Sequence, residues 1–102
     1  MKDISVNELK ALMDGGAQLN ILDVREPDEH AAFNFGGQLF PLGKIQSFQL
    51  EDIEELKDEP VYVYCHAGKR SMQACMILEQ AGFSNITNIN GGILAWQDQF
   101  GK

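Results

Sequence analysis

Apolar positions along the chain follow two patterns, short β-rich runs and stretches at helical spacing. Leu9, Leu12 and Met13 recur at the period of one buried helix face. Ahead of them stands Ser5-Val6-Asn7-Glu8, a capping box with Ser5 as N-cap and Glu8 at the third helical position. Ile4 and Leu9 are spaced for a hydrophobic staple across that start, and Gly15-Gly16 stops the helix. Ile21-Leu22-Asp23-Val24 reads as a buried strand, and Glu26-Pro27-Asp28 opens a turn or a short helix, since proline suits the first helical position. Leu39 to Leu42 reads as a short strand at an edge, where Pro41 has no ladder bond to donate.

Leu50, Ile53 and Leu56 then form one face of a helix that is acidic elsewhere, ended by Asp58-Glu59-Pro60. Val61-Tyr62-Val63-Tyr64 is the clearest strand, made wholly of β-branched and aromatic residues. A loop follows. The next helix runs from about Ser71 to Ala81, with Ala74, Cys75, Leu78 and Ala81 on one face and Gly82 as its stop. Ile86 to Ile89 is the last strand, Gly91-Gly92 a turn, and Ile93, Trp96 and Phe100 one side of a closing helix. Strands alternating with helices predict an α/β fold, a parallel sheet covered on both faces.

The chain has 102 residues, which suits one domain spanning 1–102. No stretch approaches the ~20 apolar residues of a membrane span, and the first residues lack the apolar run of a secretory signal. A cytoplasmic protein with no membrane association is expected. The formal charge of −7, from 15 acidic against 8 basic residues, argues against a nucleic-acid partner. Two cysteines make no disulfide framework, and no zinc-ligand spacing accompanies them, so no metal is expected.

The candidate chemistry lies in Cys65-His66-Ala67-Gly68-Lys69-Arg70-Ser71, between the clearest strand and the best helix. Ligands in open α/β sheets bind at the carboxyl ends of strands. A cysteine there faces loop amides and the positive end of the following helix. Lys69 and Arg70 add two cations in an otherwise acidic chain. Each feature favours a thiolate, so Cys65 is read as a nucleophile. A core cysteine closing a strand would need neither the loop glycine nor the cations.

This loop resembles the active-site loop of rhodanese-like domains. Two further stretches agree with the resemblance: Asp23-Val24-Arg25-Glu26, and Gly82-Phe83-Ser84-Asn85-Ile86 through Asn90-Gly91-Gly92-Ile93-Leu94-Ala95-Trp96. The resemblance implies a three-layer fold with a five-stranded parallel sheet. It also implies a thiosulfate sulfurtransferase activity that needs no metal or organic cofactor: Cys65, with His66 to Ser71 as its anion cradle, takes sulfane sulfur from thiosulfate or another persulfide donor as a persulfide and passes it to cyanide or a thiol. Related phosphatases use a Cys-x5-Arg loop, whereas Cys65 to Arg70 is the shorter Cys-x4-Arg form. Phe33-Asn34-Phe35-Gly36-Gly37-Gln38 departs from the family's commoner pattern. It is similar to a variant found in rhodanese-like domains fused to adenylating enzymes of sulfur-carrier pathways. That variant implies a persulfide relay to a protein partner, such as a sulfur carrier or a thioredoxin-like protein. A non-catalytic interaction module is the remaining reading.

Other residues are assigned structural roles. Cys75 is expected in the core and His30 at the surface of the Glu26–Phe33 turn. Asp23 and Arg25 are expected to support the loop by hydrogen bonding and ion pairing. His66 has two readings, a donor to substrate oxygen or a solvent-facing residue. The acidic residues from Glu51 to Glu59 are read as a solvated face.

Overall fold

A computed structural model describes all of residues 1–102. The strands are β1 (Lys2–Ile4), β2 (Asn20–Asp23), β3 (Gln38–Leu39), β4 (Val61–Tyr64) and β5 (Ile86–Ile89). The helices are α1 (Val6–Asp14), α2 (Pro27–Ala32), α3 (Leu42–Gln46), α4 (Lys69–Gln80) and α5 (Gly92–Phe100). The strands form one sheet in the order β1-β5-β4-β2-β3, and every neighbouring pair is parallel. Each connection therefore crosses a face of the sheet, which puts helices on both sides and every strand's carboxyl end along one edge.

Alternation along β4 divides the core. Val61, Val63 and Cys65 pack on one face with Ile45, Ile53, Ala74, Cys75 and Leu78. Tyr64 packs on the other with Val6, Leu9, Phe35, Ile89 and Ile93. Thus α3 and α4 cover one face and α1 and α5 cover the other. The Ser5 capping box forms as expected: Glu8 N donates to Ser5 Oγ at 3.1 Å, and Ser5 N donates to Glu8 Oε1 at 3.1 Å.

Several elements differ from the sequence expectation. β1 was not foreseen as a strand; it is short, polar and at an edge, and its pairing with β5 joins opposite ends of the chain. The strand expected over Leu39 to Leu42 shrinks to Gln38–Leu39, because Pro41 caps α3 instead. The acidic helix is a 3-10 turn, Glu51–Leu56, with Ile53 as its one buried residue. α4 begins at Lys69 rather than Ser71.

The Phe33–Gly37 segment is pinned by its own residues. Asn34 Oδ1 accepts the Gly36 amide at 2.9 Å, and Tyr64 Oη donates to the Gly36 carbonyl at 2.8 Å. Phe35 stacks between Tyr64 and Trp96, with ring centroids 3.9 and 4.4 Å away. Gly37 has φ +90°, and a Cβ there would stand 2.6 Å from the Ile21 carbonyl oxygen. Only glycine fits that approach.

Candidate active site

Cys65 follows β4 directly, so the sheet edge fixes where its sulfur lies. The loop turns at Gly68, whose φ of +117° suits glycine, and α4 starts one residue later. That turn brings the Gly68 amide to the sulfur, donating to Cys65 Sγ at 3.1 Å. The Cys65 thiol in turn donates to Ser71 Oγ at 3.4 Å, and the Ser71 hydroxyl donates to the Gly68 carbonyl at 3.1 Å. A hydroxyl rotates freely about its C–O bond. Once the thiol has lost its proton, the Ser71 hydroxyl can swing from Gly68 to the sulfur and become a second donor to it.

The amides of His66, Ala67, Lys69, Arg70 and Ser71 make no backbone hydrogen bond. They remain available at the start of a 12-residue helix, where an anion is favoured. Two of the loop's carbonyls are satisfied from the other side of the sheet. Ile93 N donates to the Cys65 carbonyl and Leu94 N to the His66 carbonyl, each at 3.0 Å. The first turn of α5 thus anchors the loop by its acceptors and leaves its donors free. Cys65 itself is only 1% exposed, beneath exposed His66, Ala67 and Lys69. The surface hollows of the molecule lie elsewhere, at other edges of the fold.

The two loop cations differ. Lys69 is exposed and makes no ion pair. Arg70 donates from Nη1 and Nη2 to both carboxylate oxygens of Glu29, at 2.7 and 2.8 Å. That bidentate bond holds the Glu29 carboxyl down at about 2 and raises Arg70 above its ordinary value. The free guanidinium expected in the cradle is instead a tied one. Glu29 was not foreseen, because nothing in a helical Pro27–Ala32 segment shows which residue will face a loop 41 positions later.

With the sheet order and the loop defined, a model of the rhodanese-like domain matches residues 5–99. The chain belongs to the rhodanese-like domain family. It is 37% identical over 98 residues to the probable adenylyltransferase/sulfurtransferase MoeZ of Mycobacterium tuberculosis, covering 94% of this chain and 24% of that one. The chain therefore spans about a quarter of that relative's length. It is 33% identical over 101 residues to the putative sulfurtransferase YtwF of Bacillus subtilis, covering 97% and 93%. Among solved structures, a rhodanese-like domain protein from Staphylococcus aureus matches with a TM-score of 0.80 at 31% identity, covering 94% of this chain and 91% of that chain. These relatives and the rhodanese fold support a transferase handling sulfur in general terms. No helix is long and apolar enough to cross a membrane.

Behind the loop, this rhodanese-like domain buries a charged group. Asp23 Oδ1 accepts the Arg25 amide at 3.1 Å and Nε at 2.8 Å, while Oδ2 accepts Arg25 Nη2 at 2.7 Å. His30 Nδ1 stands 2.8 Å from the same Oδ2. Burial alone would raise the Asp23 carboxyl, but its bonds from Arg25 and His30 outweigh that and hold it below the usual range. His30 is therefore a partner of a buried carboxylate, which corrects its reading as a plain surface residue. Asp23 and Arg25 bond to each other and, through Arg25 Nη2, to the Phe33 carbonyl at 2.7 Å. They brace the β2–α2 turn, and Glu29 on α2 carries that bracing to the loop. Tyr64 is buried over the same group; burial first, then the Asp23 charge, push its hydroxyl well above the ordinary range.

Cys75 lies in the core, and burial pushes its thiol up to about 12. A protonated, buried thiol is a poor nucleophile.

Proposed function

We propose that this domain is a sulfurtransferase that carries sulfane sulfur as a persulfide on Cys65. The supporting observation is a sulfur already bonded to one loop amide, at 3.1 Å, with five more uncommitted amides in the same loop and the first turn of α4. Such a cradle stabilises a negative charge wherever it develops on the sulfur or on a bound anion.

With thiosulfate, the Cys65 thiolate attacks the outer sulfur. The S–S bond breaks, its electron pair leaves with sulfite, and the transferred sulfur stays as a persulfide anion. Cyanide or a thiol then attacks that outer sulfur and the Cys65 thiolate is restored. Each half-reaction is a displacement and draws on no metal or organic cofactor. In this reading Gly68 and the amides of His66, Ala67, Lys69, Arg70 and Ser71 hold the anion, Ser71 adds its hydroxyl, and Lys69 attracts the donor. A reducing compartment such as the cytoplasm suits its two free cysteines.

A second reading, a relay to a protein acceptor, is favoured by the Asn34-Phe35-Gly36-Gly37 segment and by the likeness to MoeZ. The acceptor would be a sulfur-carrier or thioredoxin-like protein.

The shared step is tested by incubating the protein with thiosulfate and measuring its intact mass. A gain of one sulfur, absent in Cys65→Ser, is expected. No gain with any sulfane donor would leave an interaction module. Turnover with cyanide, with a low-molecular-weight thiol and with a carrier-protein C-terminus then identifies the acceptor.

A further inference from the structure

Building on the persulfide reading, we infer that Glu29 is a selectivity residue for the sulfur donor. By occupying Arg70, it disfavours a dianion such as thiosulfate relative to an organic persulfide, whose outer sulfur carries one negative charge or none.

The geometry leaves Arg70 little freedom. Both Glu29 oxygens are engaged, and Oε1 also accepts the amide of Glu26, the N-cap of α2, at 3.0 Å. The carboxylate is thus held from behind while it grips the guanidinium in front. The pair is reachable from the loop's mouth, with Arg70 35% and Glu29 29% exposed. Arg70 stands in the first turn of α4, between Gly68 and Ser71, the two residues that bond to the Cys65 sulfur. Glu29 stays ionised down to about pH 2, so the pair is intact at any working pH.

Charge then separates the two donor classes. A free arginine beside the sulfur would attract a dianion about twice as strongly as a monoanion. Paired with a carboxylate, it offers both a nearly neutral partner, and most of that advantage disappears. Lys69 and the loop amides remain for either donor. In the persulfide half-reaction the Cys65 thiolate attacks the outer sulfur of R–S–SH. The S–S bond breaks toward R–S⁻, which takes the donor's proton to leave as R–SH, and Cys65 keeps the persulfide anion. Atoms and charge balance without an oxidant or reductant.

The test compares thiosulfate with 2-hydroxyethyl persulfide, which carries no ionised group besides its persulfide, as donors to the wild-type protein and to Glu29→Gln. The variant should raise the thiosulfate-to-persulfide ratio of kcat/KM by ~5-fold, through a lower KM for thiosulfate rather than a higher kcat. That gain should shrink with added salt. A ratio that stays constant or falls would overturn the inference, because a purely structural ion pair would slow both donors alike. Should Glu29→Gln not fold, Glu29→Ala removes the same charge without leaving an amide against the guanidinium, and the same ratio decides. Failure of the wild-type protein to gain sulfur from either donor would instead overturn the persulfide reading itself.

Discussion

The backbone of Gly92 lies against the carbonyl of Cys65 so closely that a Cβ on Gly92 would run into that oxygen. Gly92 also has φ +49°, a conformation that side chains disfavour. The contact lets the next residue, Ile93, donate its amide to the Cys65 carbonyl at 3.0 Å. Gly92→Ala should therefore destabilise the domain by about 2–4 kcal/mol, from backbone strain and overlap together. A urea unfolding midpoint within error of wild type would show that the loop does not need this close approach.

Ser71 is buried, and its hydroxyl stands between the Cys65 sulfur and the Gly68 carbonyl. Ser71→Ala removes one donor to a charged sulfur, while the Gly68 carbonyl keeps the Met72 amide. The rate of persulfide formation should fall roughly 10-fold, in line with a lost hydrogen bond to a charged group. Stability should change little. Rapid-quench mass measurement gives the rate, and an undiminished rate would remove the hydroxyl from the proposed chemistry.

Acid should weaken the domain in a defined window. The Glu29 carboxyl is held at about 2 by its bonds from Arg70, against an ordinary value of 4.5. Between those values the unfolded chain binds the extra proton, so stability falls as pH falls. The contribution is complete above about pH 4.5 and lost as pH drops through about 2. Asp23 acts in the same direction. Urea midpoints compared at pH 6 and pH 3 should show a smaller acid loss in Glu29→Gln than in wild type. Equal losses would mean that the ion pair contributes nothing to folding.

Cys75 offers a control. Burial pushes its thiol up to about 12, so an alkylating reagent should modify Cys65 and spare Cys75 in the folded protein. Cys75→Ala should keep persulfide formation and cost about 1–2 kcal/mol of core packing. Loss of persulfide formation in that variant would make Cys75 part of the transfer.

Local chemistry was legible in the sequence wherever one segment's own pattern decides its structure. Val61–Tyr64 and Ile86–Ile89 form the expected strands because β-branched and aromatic residues, all of β4 and all but Asn88 of β5, fit a sheet buried on both faces. Ser5 caps α1 because its partner, Glu8, is three residues away. Cys65 stood out for the same reason, since Gly68 and the start of α4 follow within one turn of chain.

Partnerships across the fold were decided only in three dimensions. β1 carries too few apolar residues to declare itself and becomes a strand by pairing with β5. His30 and Glu29 look like ordinary polar residues of a short helix. One meets buried Asp23, and the other reaches Arg70 across the sheet edge. Periodicity records which face a residue turns to its own element's interior, but it holds no information about which charge waits there. The sequence alone placed Cys65 in a glycine-bearing loop between a strand and a helix. Tertiary packing decided which of its two neighbouring cations is free, because ion pairing depends on distances that folding creates.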